Sequence, residues 1–273
     1  MNERNALVLH AFLGKCSPEQ RIALERFLPE GERSFLSTLS PLTPSSESEP
    51  LVDQVHWSWF LPTLKTFSER EQGLFLASLQ PPAASSLAQA LGLVYKPESL
   101  TSVAKTYFRE QLLNSLVGSH EQLLPPQCLP SSPLNHLLSL TKKQLTQLID
   151  RLALYDVAAE LKHIVDTHTI KKISGCLTPA ERERLKALKE FHPLPRLGLE
   201  QWDGSEQAFR SLLHKRGLQR LGIALSGQDA DLVWALCHRL DIGRGNALFK
   251  FCGKEPVAAA SAMIQRELEE LLQ

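Results

Sequence analysis

Apolar residues along this chain recur at three- and four-residue intervals, and stretches of strict alternation are nearly absent. That period lays one apolar stripe along each helix and predicts an all-α protein. Leucine dominates the stripes while valine and isoleucine are modest, which suits helices better than strands. The helix starts are written locally. Ser17-Pro18-Glu19-Gln20 places a serine at the N-cap, a proline in the first turn, and acid or amide groups at the positive helix end. Thr178-Pro179-Ala180-Glu181 repeats the arrangement, with Glu181 spaced to complete a capping box. In mid-chain, Leu145, Leu148, Ile149, Leu152 and Tyr155 form one stripe, and Leu161, Ile164 and Val165 extend the helical pattern past Asp156.

A repeat with an offset of 40 runs through the first eighty residues: Phe27, Phe35, Leu36, Leu39 and Pro41 align with Phe67, Phe75, Leu76, Leu79 and Pro81. Each copy reads as a helix, a short acidic turn, and a second helix ending at a proline. A lone helix pair cannot bury its apolar face, so the two copies are expected to stack. Between them, residues 41–50 hold serine, threonine, proline and glutamate with no core residue after Leu42, the composition of a flexible linker. Pro125, Pro126, Pro130 and Pro133 mark a second break, and His192-Pro193-Leu194-Pro195 a third. These breaks predict an N-terminal helical-repeat domain over 1–125, a middle helical segment over 126–192, and a C-terminal helical domain over 193–273.

Length and charge narrow the classes of function. A chain of 273 residues can hold two or three small helical domains, and 43% hydrophobic residues suit a globular protein. Lysine plus arginine balance aspartate plus glutamate at 30 each, so the basic excess typical of nucleic-acid binders is missing. No apolar run approaches the ~18 residues of a membrane span. The N-terminal run Ala6–Leu9 is followed by His10 and lacks a small-residue cleavage site, so no signal peptide is read there. Cys16, Cys128, Cys176, Cys237 and Cys252 are odd in number and never paired as C-x-x-C, the usage expected of reduced, mostly buried thiols. A cytoplasmic protein is expected.

The last quarter carries two helix stops in a fixed order. Ala224-Leu225-Ser226-Gly227 ends one apolar run, which restarts after Asp229 and Asp231; Gly253-Lys254-Glu255-Pro256-Val257 ends another before a long C-terminal amphipathic helix. Leu232, Leu236 and Leu240 supply the apolar face of the intervening helix, and Val257, Ile264, Leu268 and Leu271 that of the closing one. This order resembles the C-terminal domain of the flagellar motor switch protein FliG. The first eighty residues look like the helical repeats of that family and of magnesium-transporter cytoplasmic domains, at the level of pattern. The resemblance implies armadillo-like stacked helix pairs and a structural role in a membrane-anchored assembly. The flagellar family drives rotation with a helix presenting both acidic and basic residues. The corresponding helix here, Arg244 to Phe251, has Arg244 and Lys250 but no carboxylate, and its apolar residues outnumber its charges. The implied relative is therefore non-rotating, such as a cytoplasmic adaptor of a type III secretion apparatus at the inner membrane face. The alternative is a regulatory or chaperone-like helical binding module.

No residue pattern argues for catalysis. His163, Asp166 and His168 cannot share one helix face, Cys237-His238 has no second ligand pair, and Gly243-Arg244-Gly245 lacks the strand, third glycine and lysine of a phosphate loop. The expectation is a non-enzymatic protein with no catalytic residue, cofactor, metal, nucleic acid or small-molecule substrate. Its partners would be proteins of a secretion or flagellar cytoplasmic ring, through which alone it would reach a membrane. The candidate interaction residues are Arg244, Leu248, Phe249, Lys250 and Phe251, together with Trp57 and Trp59, which flank a serine and are expected on different sides of a helix, one core and one an exposed anchor. Trp234 is expected to pack the C-terminal domain, and Trp202 to pin the preceding linker. His214, Lys215, Arg216 and Arg220 form a basic cluster that reads as a solvated face, or as a dock for an acidic partner helix or an anionic membrane surface.

Overall fold

The structure, a computed structural model, describes residues 3–38, 50–95, 98–117, 123, 129–130, 132–188, 194–199, 202–253 and 258–272. Among them every regular element is helical, so the protein is all-α. In chain order the helices are α1 (Glu3–Lys15), α2 (Pro18–Glu25), α3 (Glu30–Thr38), α4 (Leu51–Gln54), α5 (Leu61–Leu64), α6 (Glu69–Ser78), α7 (Pro81–Leu91) and α8 (Ser102–Val117). There follow α9 (Lys142–Leu161), α10 (Thr167–Cys176), α11 (Pro179–Ala187), α12 (Glu206–Leu225), α13 (Ala230–Arg239), α14 (Ile242–Cys252) and α15 (Ala258–Leu272). Short 3-10 turns cover Trp57–Trp59 and Pro133–Ser139. Among the described residues no helix is long and apolar enough to cross a membrane.

The local start signals work as read. Ser17 and Thr178 cap α2 and α11 in full capping boxes with Gln20 and Glu181, and Ser68 and Thr141 do the same for α6 and α9. Each box satisfies two backbone N–H groups that a helix start leaves without partners. The first C-terminal stop is equally local. α12 ends at Leu225, and Gly227 takes φ +80°, a left-handed conformation that only glycine adopts without cost. The second stop falls on residues 254–257, which lie outside the described ones, as do residues 41–49 of the expected linker, Cys128 and most of the proline-rich stretch 124–131. One extension fails. α9 stops at Leu161, so Ile164 and Val165 follow it in the connection to α10, where Ile164 is buried and Val165 almost fully exposed. Asp166 decides this by capping α10, accepting hydrogen bonds from the His168 and Thr169 backbone N–H groups.

The chain divides into two compact units, Met1–Ser132 with Asp229–Ile242, and Pro133–Gln228 with Gly243–Gln273. The division cuts across the sequence segments: residues 133–228 stay together across the break at 192/193, while Asp229–Ile242 groups with the N-terminal half. In the first unit, Val52, Val55, Phe60, Leu64, Phe75, Leu76, Leu79, Ala84, Leu87, Ala88 and Leu112 form the main core. Trp234 of α13 packs against it. The polypeptide around Trp57–Trp59 is tied to α13 and the residues just after it by His56 N–H donating to His238 O at 2.7 Å, Trp59 Nε1–H to Leu240 O at 2.8 Å and Ile242 N–H to Ser58 Oγ at 3.0 Å. Ala6, Leu13 and Leu36 make a separate small core, flanked by Leu9 and Leu28. The first copy of the repeat thus uses α1 to cover its buried leucine.

In the second unit α9 and α12, each of twenty residues, cross so closely that a Cβ on Gly217 would stand 2.6 Å from the Ile149 carbonyl carbon and nearer still to its oxygen. A second core gathers Ala153, Leu154, Val157, Ile173, Leu177, Leu199, Phe209 and Leu213, with Trp202 packed against it. Trp202 lies tilted against Phe209 at 5.4 Å and donates to Ser205 O, anchoring the entry to α12.

Candidate functional site

The expected tryptophan pair lies in the first unit. Trp57 and Trp59 are both half-buried, and both pack against the main core, because the segment carrying them is a single 3-10 turn rather than a long helix. Trp57 leans on the His56 ring at 5.2 Å. Trp59 faces His238 at 4.2 Å, and Trp234 stacks on the same imidazole at 3.9 Å. His238 Nδ1–H donates to Trp234 O at 2.8 Å. Desolvation between the two indoles outweighs that bond and pushes the imidazole pKa down to about 4, so the ring is neutral at pH 7. This aromatic sandwich fastens α13 inside the first unit. Trp234 therefore packs the N-terminal core, not the C-terminal segment in which it lies in sequence.

The other five residues lie on α14. Leu248 is fully buried, Arg244 and Phe251 are half-buried, and Phe249 and Lys250 are exposed. Phe251 is held by α12: a Cβ on Gly222 would stand 3.1 Å from the Phe251 carbonyl carbon and closer to its Cβ. Ser226 Oγ–H donates to Cys252 O at 3.1 Å just beyond. The two packed side chains hold the helix while Phe249 keeps 54% of its surface in water. Of the seven candidates, Phe249 and Lys250 are the exposed pair.

The basic cluster is not a surface patch. Arg220 is fully buried, its Nε donating to Asp156 Oδ2 at 2.7 Å and its Nη1 to Glu267 Oε2, with the guanidinium 5.3 Å from the Tyr155 ring. His214 pairs with Asp150 at 2.6 Å, and Arg216 donates to Pro195 O at 2.8 Å. Lys215 alone stays exposed. Nearby, Glu160 accepts N–H bonds from Leu197, Gly198 and Leu199 at 3.2–3.3 Å. A buried guanidinium with two carboxylates, and a carboxylate gathering three amides, bind α9, α12, α15 and the 194–199 segment together; this is a structural clamp.

Sequence reasoning missed the exposed residues at the N-terminus. Phe12, Ile22 and Phe27 are exposed, and Phe27 shows 86% of its surface. The aligned residues of the repeat have opposite fates. Phe75 lies in the main core with Phe67 packed tilted against it at 4.9 Å, whereas their counterparts Phe27 and Phe35 are exposed. Leu24 and Leu64 also align, and they are 39% and 0% exposed. The available signal was the absence of core residues in the following segment, 43–50.

No protein-family profile, curated protein or solved structure matches this chain.

Proposed function

We propose that the protein is a non-enzymatic structural adaptor, working through protein–protein contacts at the cytoplasmic face of a membrane-anchored type III secretion or flagellum-like assembly. The observation that carries the reading is Phe249, a large apolar side chain left 54% exposed beside Lys250 on a helix fixed by buried Leu248 and packed Phe251. A rigid aromatic at low entropy cost, with a cation beside it, is the composition of an interface anchor. The order of helices in the last quarter adds support for the FliG-like assignment: α12 stops at the Ala-Leu-x-Gly turn, α13 buries Leu232, Leu236 and Leu240, and α15 buries Ile264 and Leu268.

The test is affinity purification from the native cell. Secretion-ring or flagellar-switch components are expected with the wild type and should be released by Phe249→Asp, which changes an exposed side chain and leaves the circular dichroism unaltered. Phe251→Asp is unsuitable, because it would put a carboxylate against the α12 backbone. Co-purification with no ring component, or with ring components retained by Phe249→Asp, sinks the reading.

A further inference from the structure

We infer that the α2–α3 helix pair is a docking site for an amphipathic helix of a partner protein, one that presents small and leucine-sized apolar side chains at three- and four-residue spacing. The inference rests on the adaptor reading in taking the occupant to be a protein. The internal repeat says what covers such a face. In the second copy Leu64, Phe67 and Phe75 share one core with two further helices of this chain, α7 through Ala84, Leu87 and Ala88, and α8 through Phe108 and Leu112, with Phe108 edge-on to Phe75 at 5.1 Å. Ala84, Leu87 and Ala88 stand at i, i+3 and i+4, one helical stripe.

Among the described residues, the first copy repeats the covered face but not the cover. Leu24, Phe27 and Phe35 are identical in type to their counterparts, yet they are 39%, 86% and 40% exposed. Forty residues before Ala84, Leu87 and Ala88 stand Pro44, Glu47 and Ser48, so that segment carries no stripe able to bury a phenylalanine. α1 contributes Ala6 and Leu13 against Leu36 and leaves its own Phe12 exposed. The face therefore has the chemistry of a helix-pair surface whose third helix comes from elsewhere, the helix-in-groove mode of recognition.

A helix-biased peptide library displayed on phage and selected on the full-length protein tests this. Selected peptides should share an apolar stripe of 3–4 spacing, and one of them, synthesised and labelled, should lose affinity at least ~10-fold on Phe27→Asp, given that buried aromatic anchors dominate interfaces. Phe27→Gln should weaken it in the same direction, while Val103→Asp, at an exposed residue of α8, leaves it unchanged. Peptides without the stripe, or binding insensitive to Phe27, overturn the inference. So does a wild-type dimer in sedimentation that Phe27→Asp dissociates, because the occupant would then be a second copy. Peptide binding that survives while ring components fail to co-purify would remove the secretory assignment and leave the docking site standing.

Discussion

Replacing Gly217 by alanine sets two physical effects against each other, and the structure decides the sign. Alanine has the higher helix propensity, worth up to ~1 kcal/mol in a helix interior. Gly217 sits mid-helix in α12, so propensity alone predicts stabilisation. The α9 backbone opposes it. A Cβ there would lie 2.6 Å from the Ile149 carbonyl carbon and 2.9 Å from its Cγ2. Ordinary carbon contacts sit at ~3.5–4.0 Å, so the two helices must part by about 1 Å. A side chain could rotate away from such a clash, but a helix carbonyl cannot. The cost then belongs at or above the top of the ~1–3 kcal/mol range for overpacking, leaving a net loss of about 2 kcal/mol or more. Urea unfolding followed by circular dichroism measures it. Gly73→Ala in α6 and Gly175→Ala in α10 are the controls, because a Cβ at either meets nothing within 4 Å. Both should be stabilised by as much as ~1 kcal/mol. A Gly217→Ala variant as stable as the wild type, moving with the two controls, would refute the close crossing of α9 and α12.

Arg220→Met should destabilise the protein by about 3–5 kcal/mol, because it leaves Asp156 and Glu267 buried without their guanidinium; adding Asp156→Asn and Glu267→Gln should recover part of the loss in the same urea experiment. The unfolded chain protonates His238 near pH 6.5, whereas the folded one resists down to about 4, so stability is full above pH 6.5 and falls as pH drops through that window. The loss from this group approaches about 3 kcal/mol by pH 4, and His238→Phe should flatten the pH profile of the unfolding midpoint between those values. Thr141→Ala should cost about 1 kcal/mol by removing the α9 capping box, and Thr141→Ser should restore most of it.

What could be read from the chain alone was what neighbours within four residues decide. Ser17, Thr178 and Gly227 act on backbone groups of their own turns, so their helix boundaries follow from local hydrogen bonding and φ preference. The apolar period fixed the class as all-α for the same reason. The candidate site was less legible. On α14, periodicity alone did not tell buried Leu248 from exposed Phe249, and Phe251 is packed because glycine at 222 lets α12 come close. The residues His214 to Arg220 read as one basic patch, yet carboxylates at 156 and 267 bury Arg220.

The repeat shows the division most directly. Leu24, Phe27 and Phe35 match Leu64, Phe67 and Phe75 in kind and spacing, and both sets belong to similar helix pairs. The sequence by itself determined those helices and their apolar faces, since propensity, capping and period are properties of a short segment. Only the tertiary structure decided which face meets a covering helix and which meets water. Burial depends on what side chains distant in the chain bring to that face, and the pattern of the face itself does not encode that supply.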